Sequence, residues 1–224
     1  MSDVVMEPGQ TILFDGDSLT SRRRPGSLDT WPYLRLMNWD RGYADEMERL
    51  LFCLRPDLRL TFRNVAIGGY DSGQMLGKFD DSVLPWEPEL VILTTGGNDA
   101  SRQMPLDEFR RNVATYCERV RDECGGRVVF VGGFRPCPHM PAEKGEVYGR
   151  RMRYYDVQQE VAAEYGGRYV DAGTPLLRKA EELYEQAEIH TVYSDGGHFN
   201  AVGNTIIAAA VLAALGFDWQ ALAT

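Results

Sequence analysis

Four cysteines in 224 residues are too few and too irregularly spaced to read as a disulfide framework. Cys53, Cys117, Cys124 and Cys137 include no C-x-x-C pair, and Cys117 and Cys124 fall in an expected helix, where a reduced thiol serves as a small apolar side chain. Long apolar runs are also missing. The longest, Ile206 to Leu215, is about half of what crossing a bilayer requires. The opening Met1 to Gln10 carries acids and a proline where a secretory signal has a basic and then an apolar region. The expectation is a cytoplasmic protein with no membrane partner. Positive charge is in deficit, with 24 Lys and Arg against 33 Asp and Glu and a net charge of −9. Binding a phosphate backbone requires clustered cations, so nucleic acid is not expected as a partner. A G-x-G-x-x-G after the first strand is absent. Gly77-Lys78 fails as a P-loop, because Phe79 stands where Ser or Thr must bind Mg²⁺ and Ser72 occupies the first glycine position.

What is present is an ordinary globular composition, 44% hydrophobic and 25% charged. Repeats, low-complexity tracts and Pro/Ser-rich linkers are not found, so residues 1–224 are expected to form a single domain. Strand and helix patterns alternate. Thr11 to Phe14, Leu60 to Val65, Leu90 to Thr94, Arg127 to Val131 and Arg168 to Val170 read as short strands. Between and after them, Tyr43 to Leu54, Pro105 to Glu123, Tyr148 to Tyr165, Thr174 to Gln186 and Asn200 to Leu215 read as helices. Such alternation predicts an α/β protein whose parallel sheet is covered on both faces. Residues 21–42 fit neither pattern and are rich in Arg, Trp and Tyr; a loop or short-helix insertion beside the first strand is expected.

Open sheets of this kind bind ligands at the carboxyl ends of their strands. Those ends read Asp15-Gly16-Asp17-Ser18, Ala66-Ile67-Gly68-Gly69, Gly96-Gly97-Asn98-Asp99 and Gly133-Phe134-Arg135-Pro136, with Asp195-Gly196-Gly197-His198 before the final helix. Acyl transfer needs a nucleophile, a base, a group that orients the base, and donors for the oxyanion. Ser18 after a strand, at the expected start of a helix, suits the nucleophile. Asp195 and His198, three apart in one loop, let the carboxylate hold one imidazole nitrogen while the other faces Ser18. Gly69 offers a backbone N–H and Asn98 an amide N–H. Each piece alone has a plain structural use, as a helix cap or a tight turn; their joint placement at successive strand ends favours the site.

These blocks resemble the SGNH branch of the GDSL hydrolases through FDGDSLT (Phe14 to Thr20), NVAIGG (Asn64 to Gly69), GGND (Gly96 to Asp99) and DGGH (Asp195 to His198). The resemblance implies a flavodoxin-like three-layer α/β/α fold with a parallel five-stranded sheet. It implies Ser18, Asp195 and His198 as catalytic residues, and Ser18, Gly69 and Asn98 as the oxyanion hole. No metal and no cofactor are implied, and self-association is expected by analogy. MEPGQTILFDGDSLT, PDLRLTFRNVAIGG and the terminal LGFDW are similar to intracellular xylan and xylo-oligosaccharide acetylesterases of that superfamily. That implies a small-molecule acyl ester as substrate, an O-acetylated carbohydrate. Phe199, where those enzymes often have Pro or Leu, is a departure.

Substrate-facing candidates are Asp17, Trp31, Arg135 and Phe199. Tyr33, Trp39, Tyr43 and Trp86 are further stacking candidates, each more simply read as filling the core or a subunit contact. Arg22, Arg23 and Arg24 read as a solvated run or an anion clamp. His139 and His190 carry no partner at metal-ligand spacing. Three other functions stay open: a lysophospholipase or thioesterase on the same fold, metal-dependent hydrolysis through Asp15, Asp17, Asp99, Asp195 and His198, and a non-catalytic binding module.

Overall fold

Strands β1 (Thr11–Gly16), β2 (Thr61–Asn64), β3 (Leu90–Thr94), β4 (Arg127–Gly132) and β5 (Arg168–Asp171) lie side by side in the order β2-β1-β3-β4-β5. Every pairing is parallel, with Leu13 opposite Val91 and Val91 opposite Val128. The architecture comes from a computed structural model that describes residues 5–21, 42–135, 142–187, 192–193 and 198–219. Residues 22–41, which make up nearly all of the expected insertion, lie outside the described residues.

Side chains alternate across a strand, so a run such as Ile12-Leu13-Phe14 must find apolar cover on both faces. Ile12, Phe14, Ile92, Val129, Val131 and Val170 point to one face. There they meet Met47 and Leu51 of α1 (Tyr43–Leu54), Leu176 of α7 (Gly173–Ala187) and Ile207 and Val211 of α8 (Ala201–Ala214). Leu13, Val91, Leu93, Val128 and Phe130 point to the other. Their cover is Met75 of α2 (Ser72–Gly77), Phe79 of α3 (Phe79–Ser82), Phe109 and Val113 of α5 (Leu106–Cys124), and Val161 of α6 (Ala142–Glu164). The result is the three-layer α/β/α sandwich with a five-stranded parallel sheet that the strand pattern predicted.

All five strands and five helices read from the sequence are present. α6 begins ahead of the expected Tyr148, at Ala142. Short elements were not anticipated: α2, α3, α4 (Gly97–Ser101) and single 3₁₀ turns at Pro56–Leu58 and Leu84–Trp86. Pieces of one turn or so carry no measurable period.

The strand order reverses between β1 and β3, and connections leave the carboxyl edge there in opposite directions. A crevice opens at that point in open α/β sheets. The edge is pinned by a buried cluster beneath it. Lys78 donates to Asp15 Oδ1 at 2.7 Å and to the Val65 carbonyl at 2.9 Å, and Tyr116 donates to Asp15 Oδ2 at 2.8 Å. Burial pushes the Asp15 carboxyl up, while Lys78 and the hydrogen bonds pull it back. Lys78, which fails as a nucleotide-binding lysine, is thus the counter-ion of β1.

Candidate active site

Ser18 sits in a tight turn directly after β1. Leu19 N–H donates to Asp17 Oδ1 at 3.0 Å, and the Thr20 and Ser21 N–H groups return to the Asp17 carbonyl at 3.1 and 2.9 Å. Gly16 makes this turn possible. Its φ is +145°, and a Cβ there would lie 2.5 Å from the Thr94 carbonyl oxygen, so no larger residue fits. The expected helix after Ser18 is a hydrogen-bonded turn within the described residues. Asp17 is buried, and burial raises its carboxyl to about 6 despite the Leu19 N–H and the charges of Arg151 and His198.

His198 approaches from the far end of the chain. Ser18 Oγ and His198 Nε2 are 2.9 Å apart, across 180 residues of sequence. Capping of α8 falls to Asn200, whose side chain accepts from Gly203 N–H at 3.1 Å. That matches the expected helix start and leaves the His198 ring for Ser18. Next to it, Phe199 pairs with Tyr193 in an antiparallel bridge. Its ring lies among Phe134 and Tyr193, at centroid distances of 5.2 and 5.4 Å, and is 7% exposed. This corrects the expectation that Phe199 faces substrate. It follows His198 in an extended segment, so its side chain points the opposite way, into the core.

Two loops supply amide donors. Tyr70 N–H bonds the Ile67 carbonyl at 3.2 Å, closing a turn whose third residue, Gly69, has φ +86°. A type II turn demands positive φ at that place, which is why glycine occupies it. The turn is strapped to the nucleophile segment: Ile67 N–H donates to the Gly16 carbonyl at 3.0 Å and Asn64 Nδ2 to the Thr20 carbonyl at 2.9 Å. Among the described residues no group accepts from the Ser18 or Gly69 N–H. Asn98, in α4, donates through Nδ2 to the Tyr70 carbonyl at 2.9 Å. A side-chain amide has two N–H bonds, so that contact fixes its plane and leaves the second hydrogen. Asp99 turns away and binds Ser72 Oγ at 2.6 Å, Ser72 N–H at 2.9 Å and Gly96 N–H at 3.0 Å.

Asp195, Trp31, Tyr33, Trp39, Arg22 to Arg24, Cys137, His139 and His190 lie outside the described residues. Arg135 is exposed beyond β4, and the Tyr193 hydroxyl bonds its carbonyl at 3.1 Å. Tyr43 is core. Its hydroxyl meets Thr94 Oγ1 at 2.8 Å, and burial pushes its pKa up to about 12. Trp86 precedes β3, at the opposite edge of the sheet from Ser18, and lies under the Arg63 guanidinium at 4.2 Å. Asp15 and Asp99 each spend both carboxylate oxygens on protein donors, which removes two acids from the metal-hydrolysis reading.

Two arginines were missed. Arg102 donates to the Gly69 carbonyl at 2.8 Å and to Gln74 Oε1 at 3.0 Å, and pairs with Asp71, clamping the Gly69 turn from outside. Arg151 reaches from α6 towards Asp17 and Gly97. Arg102 follows the GGND block closely and was within reach of a loop-based reading; Arg151 sits in an Arg-rich helical stretch with nothing local to single it out.

A serine hydroxyl bonded to a histidine nitrogen at the carboxyl edge of a doubly covered parallel sheet, with amide donors beside it, is equipped for acyl transfer through a serine nucleophile. Residues 14–206 match the GDSL-like Lipase/Acylhydrolase family, and the chain belongs to it. It is 24% identical to the acetylxylan esterase of Geobacillus stearothermophilus, over 94% of this chain and 96% of that one. It is 28% identical to esterase TesA of Pseudomonas aeruginosa over 55% of this chain and 54% of that enzyme. The solved structure of the Geobacillus esterase superposes with a TM-score of 0.76 at 22% identity, covering 96% and 97% of the two chains. A GDSL-like lipase from Parabacteroides merdae gives 0.77 at 16% identity, covering 96% and 99%.

Proposed function

We propose that the protein removes acetyl groups from short O-acetylated carbohydrates through an acyl-Ser18 intermediate. The observation that carries the chemistry is the 2.9 Å contact between Ser18 Oγ and His198 Nε2. His198 takes the Ser18 proton as Oγ adds to the ester carbonyl. The oxyanion accepts hydrogen bonds from Ser18 N–H, Gly69 N–H and the free Asn98 N–H. The imidazolium then protonates the departing sugar oxygen, and on the return half-reaction His198 takes a proton from water, whose oxygen attacks the acyl group. Asp195 is assigned to His198 Nδ1, where it orients the ring. Catalytic variants of the Geobacillus esterase replace a serine, an aspartate and a histidine, in support of the same trio here.

The acetyl-carbohydrate assignment draws on the near full-length similarity to that acetylxylan esterase. We assign residues 1–224 to one domain and the reaction to the cytoplasm, a reading supported by Cys53, Cys117 and Cys124 being free thiols. No described helix is long and apolar enough to cross a membrane. Self-association remains part of the proposal.

The test is acetate release from acetylated xylo-oligosaccharides beside hydrolysis of p-nitrophenyl acetate and octanoate, for wild type and Ser18→Ala. Ser18-dependent release from the sugar, with acetate preferred to octanoate and insensitivity to EDTA, is the expected result. Preference for octanoate with an inert sugar would instead favour the lipolytic reading.

A further inference from the structure

In a parallel strand pair the N–H and carbonyl of alternate residues face the same neighbour, so hydrogen-bonded rungs follow one another at even spacing. Beyond the last paired residues, Phe14 and Asn64, β1 and the segment after β2 keep two rungs. Val65 N–H donates to the Phe14 carbonyl at 2.9 Å, and Ile67 N–H donates to the Gly16 carbonyl at 3.0 Å. The rung between them would run from Gly16 N–H to the Val65 carbonyl, and both groups are engaged elsewhere. Gly16 N–H donates to Asp15 Oδ1 at 2.7 Å, and the Val65 carbonyl accepts from Lys78 Nζ at 2.9 Å. Lys78 Nζ also donates to that same Asp15 oxygen at 2.7 Å. An ion pair stands in the ladder where one hydrogen bond would, and three hydrogen bonds span the gap.

Stability alone is a poor reason for such a pair. The Asp15 side chain is fully buried and that of Lys78 is 11% exposed, and buried ion pairs are often no more stabilising than apolar side chains of similar volume. Its place is more informative. On one side, Gly16 stands two residues ahead of Ser18. On the other, Val65 leads into the turn that carries Gly69, and Lys78 ends α2, the helix that starts just after that turn under the Asp71 cap. The pair therefore ties the nucleophile turn to both ends of the Gly69–α2 segment while keeping the two backbones from closing their rung. We propose that Lys78 is a positioning residue, holding with Asp15 the Ser18 and Gly69 N–H groups at the separation that the oxyanion needs. This rests on the esterase reading and adds to it a residue that acts through the backbone.

Lys78→Met, Lys78→Arg and the double variant Asp15→Asn/Lys78→Met, compared with wild type, test the role. The measurements are saturation kinetics on p-nitrophenyl acetate, inhibition by phenylboronic acid, which forms a tetrahedral adduct on an active serine, and urea melts. The double variant buries no charge at this place, and its amide still meets Gly16 N–H and the Tyr116 hydroxyl, so it should fold even where Lys78→Met does not. In Lys78→Met and the double variant, kcat corrected for folded fraction should fall by about ten- to a hundredfold at nearly constant KM. Affinity for phenylboronic acid should fall in step, and Lys78→Arg should recover part of both. A double variant with kcat within about threefold of wild type overturns the role and leaves the pair as charge balance. So does a loss that follows the folded fraction, a raised KM at constant kcat, or failure of both Met-bearing variants to fold. A wild type without Ser18-dependent turnover overturns the esterase reading and this role with it, whereas an active wild type with unaffected variants overturns the role alone.

Discussion

Asn98→Ala removes one oxyanion donor and little else, and its cost can be worked out from the geometry. One Asn98 N–H is committed to the Tyr70 carbonyl at 2.9 Å; the other is the proposed donor. Charge on the ester oxygen develops only in the transition state, so the loss should appear in kcat and leave KM almost unchanged. Losing one such donor lowers kcat by about 10²–10³, or about 2.7–4 kcal/mol. The vacated Tyr70 bond adds about 0.5–1.5 kcal/mol of lost stability, which urea denaturation separates from the kinetic effect. The Gly69 turn keeps its own bonds to Ile67, Gly16 and Arg102, so the second donor should persist. Saturation kinetics on p-nitrophenyl acetate, with concentration corrected for folded fraction, is the assay. A kcat within about threefold of wild type, or a raised KM at constant kcat, would refute the placement of Asn98.

Asp17→Asn should reveal the cost of a buried carboxylate. Its pKa rises from 3.8 to about 6, so between those values the folded state holds more protons than the unfolded state, and stability falls as pH rises through that window. Two units amount to about 3 kcal/mol, so the asparagine variant, whose amide oxygen can still accept from Leu19 N–H, should be more stable by roughly that much at about pH 8 and hardly at all at about pH 4. Equal gains at both pH values in urea melts would contradict the sign. Gly16→Ala should cost several-fold more activity than stability alone explains, because the Cβ meets the Thr94 carbonyl at 2.5 Å and the turn carrying Ser18 must shift; wild-type turnover in a crystallographically unmoved turn would count against this. Arg102→Met should lower kcat by about tenfold without changing acyl-chain preference, through a loosened Gly69 donor, and Arg102→Lys should recover part of it; unchanged kcat in both would reduce Arg102 to a surface residue.

The sheet and much of the site were legible because parallel strands buried on both faces are short, apolar and separated by amphipathic helices. Ser18, Gly69 and Asn98 each lie within five residues of a strand's carboxyl end, and that placement carries them to one edge. His198 was singled out by its spacing to Asp195, which lies outside the described residues; what is seen is its contact with Ser18 and Asn200 as the next helix cap. What was not legible depends on directions that only packing decides. Phe199 belongs to the core because it alternates with His198, and a substitution at a familiar place drew attention to the wrong face. Tyr43 takes the core reading that a lone aromatic favours, but its hydroxyl contact with Thr94 at the end of β3 could not be read from the sequence. Arg151 approaches Asp17 from α6, in an Arg-rich helical stretch where no local pattern marks it.

The most direct test of the account is to trap the acyl-enzyme. Wild type mixed with p-nitrophenyl acetate and quenched in acid should carry a single acetyl group on the peptide containing Ser18, and Ser18→Ala should carry none. An acetyl group on another residue, or steady turnover by Ser18→Ala, would contradict the assignment of the nucleophile.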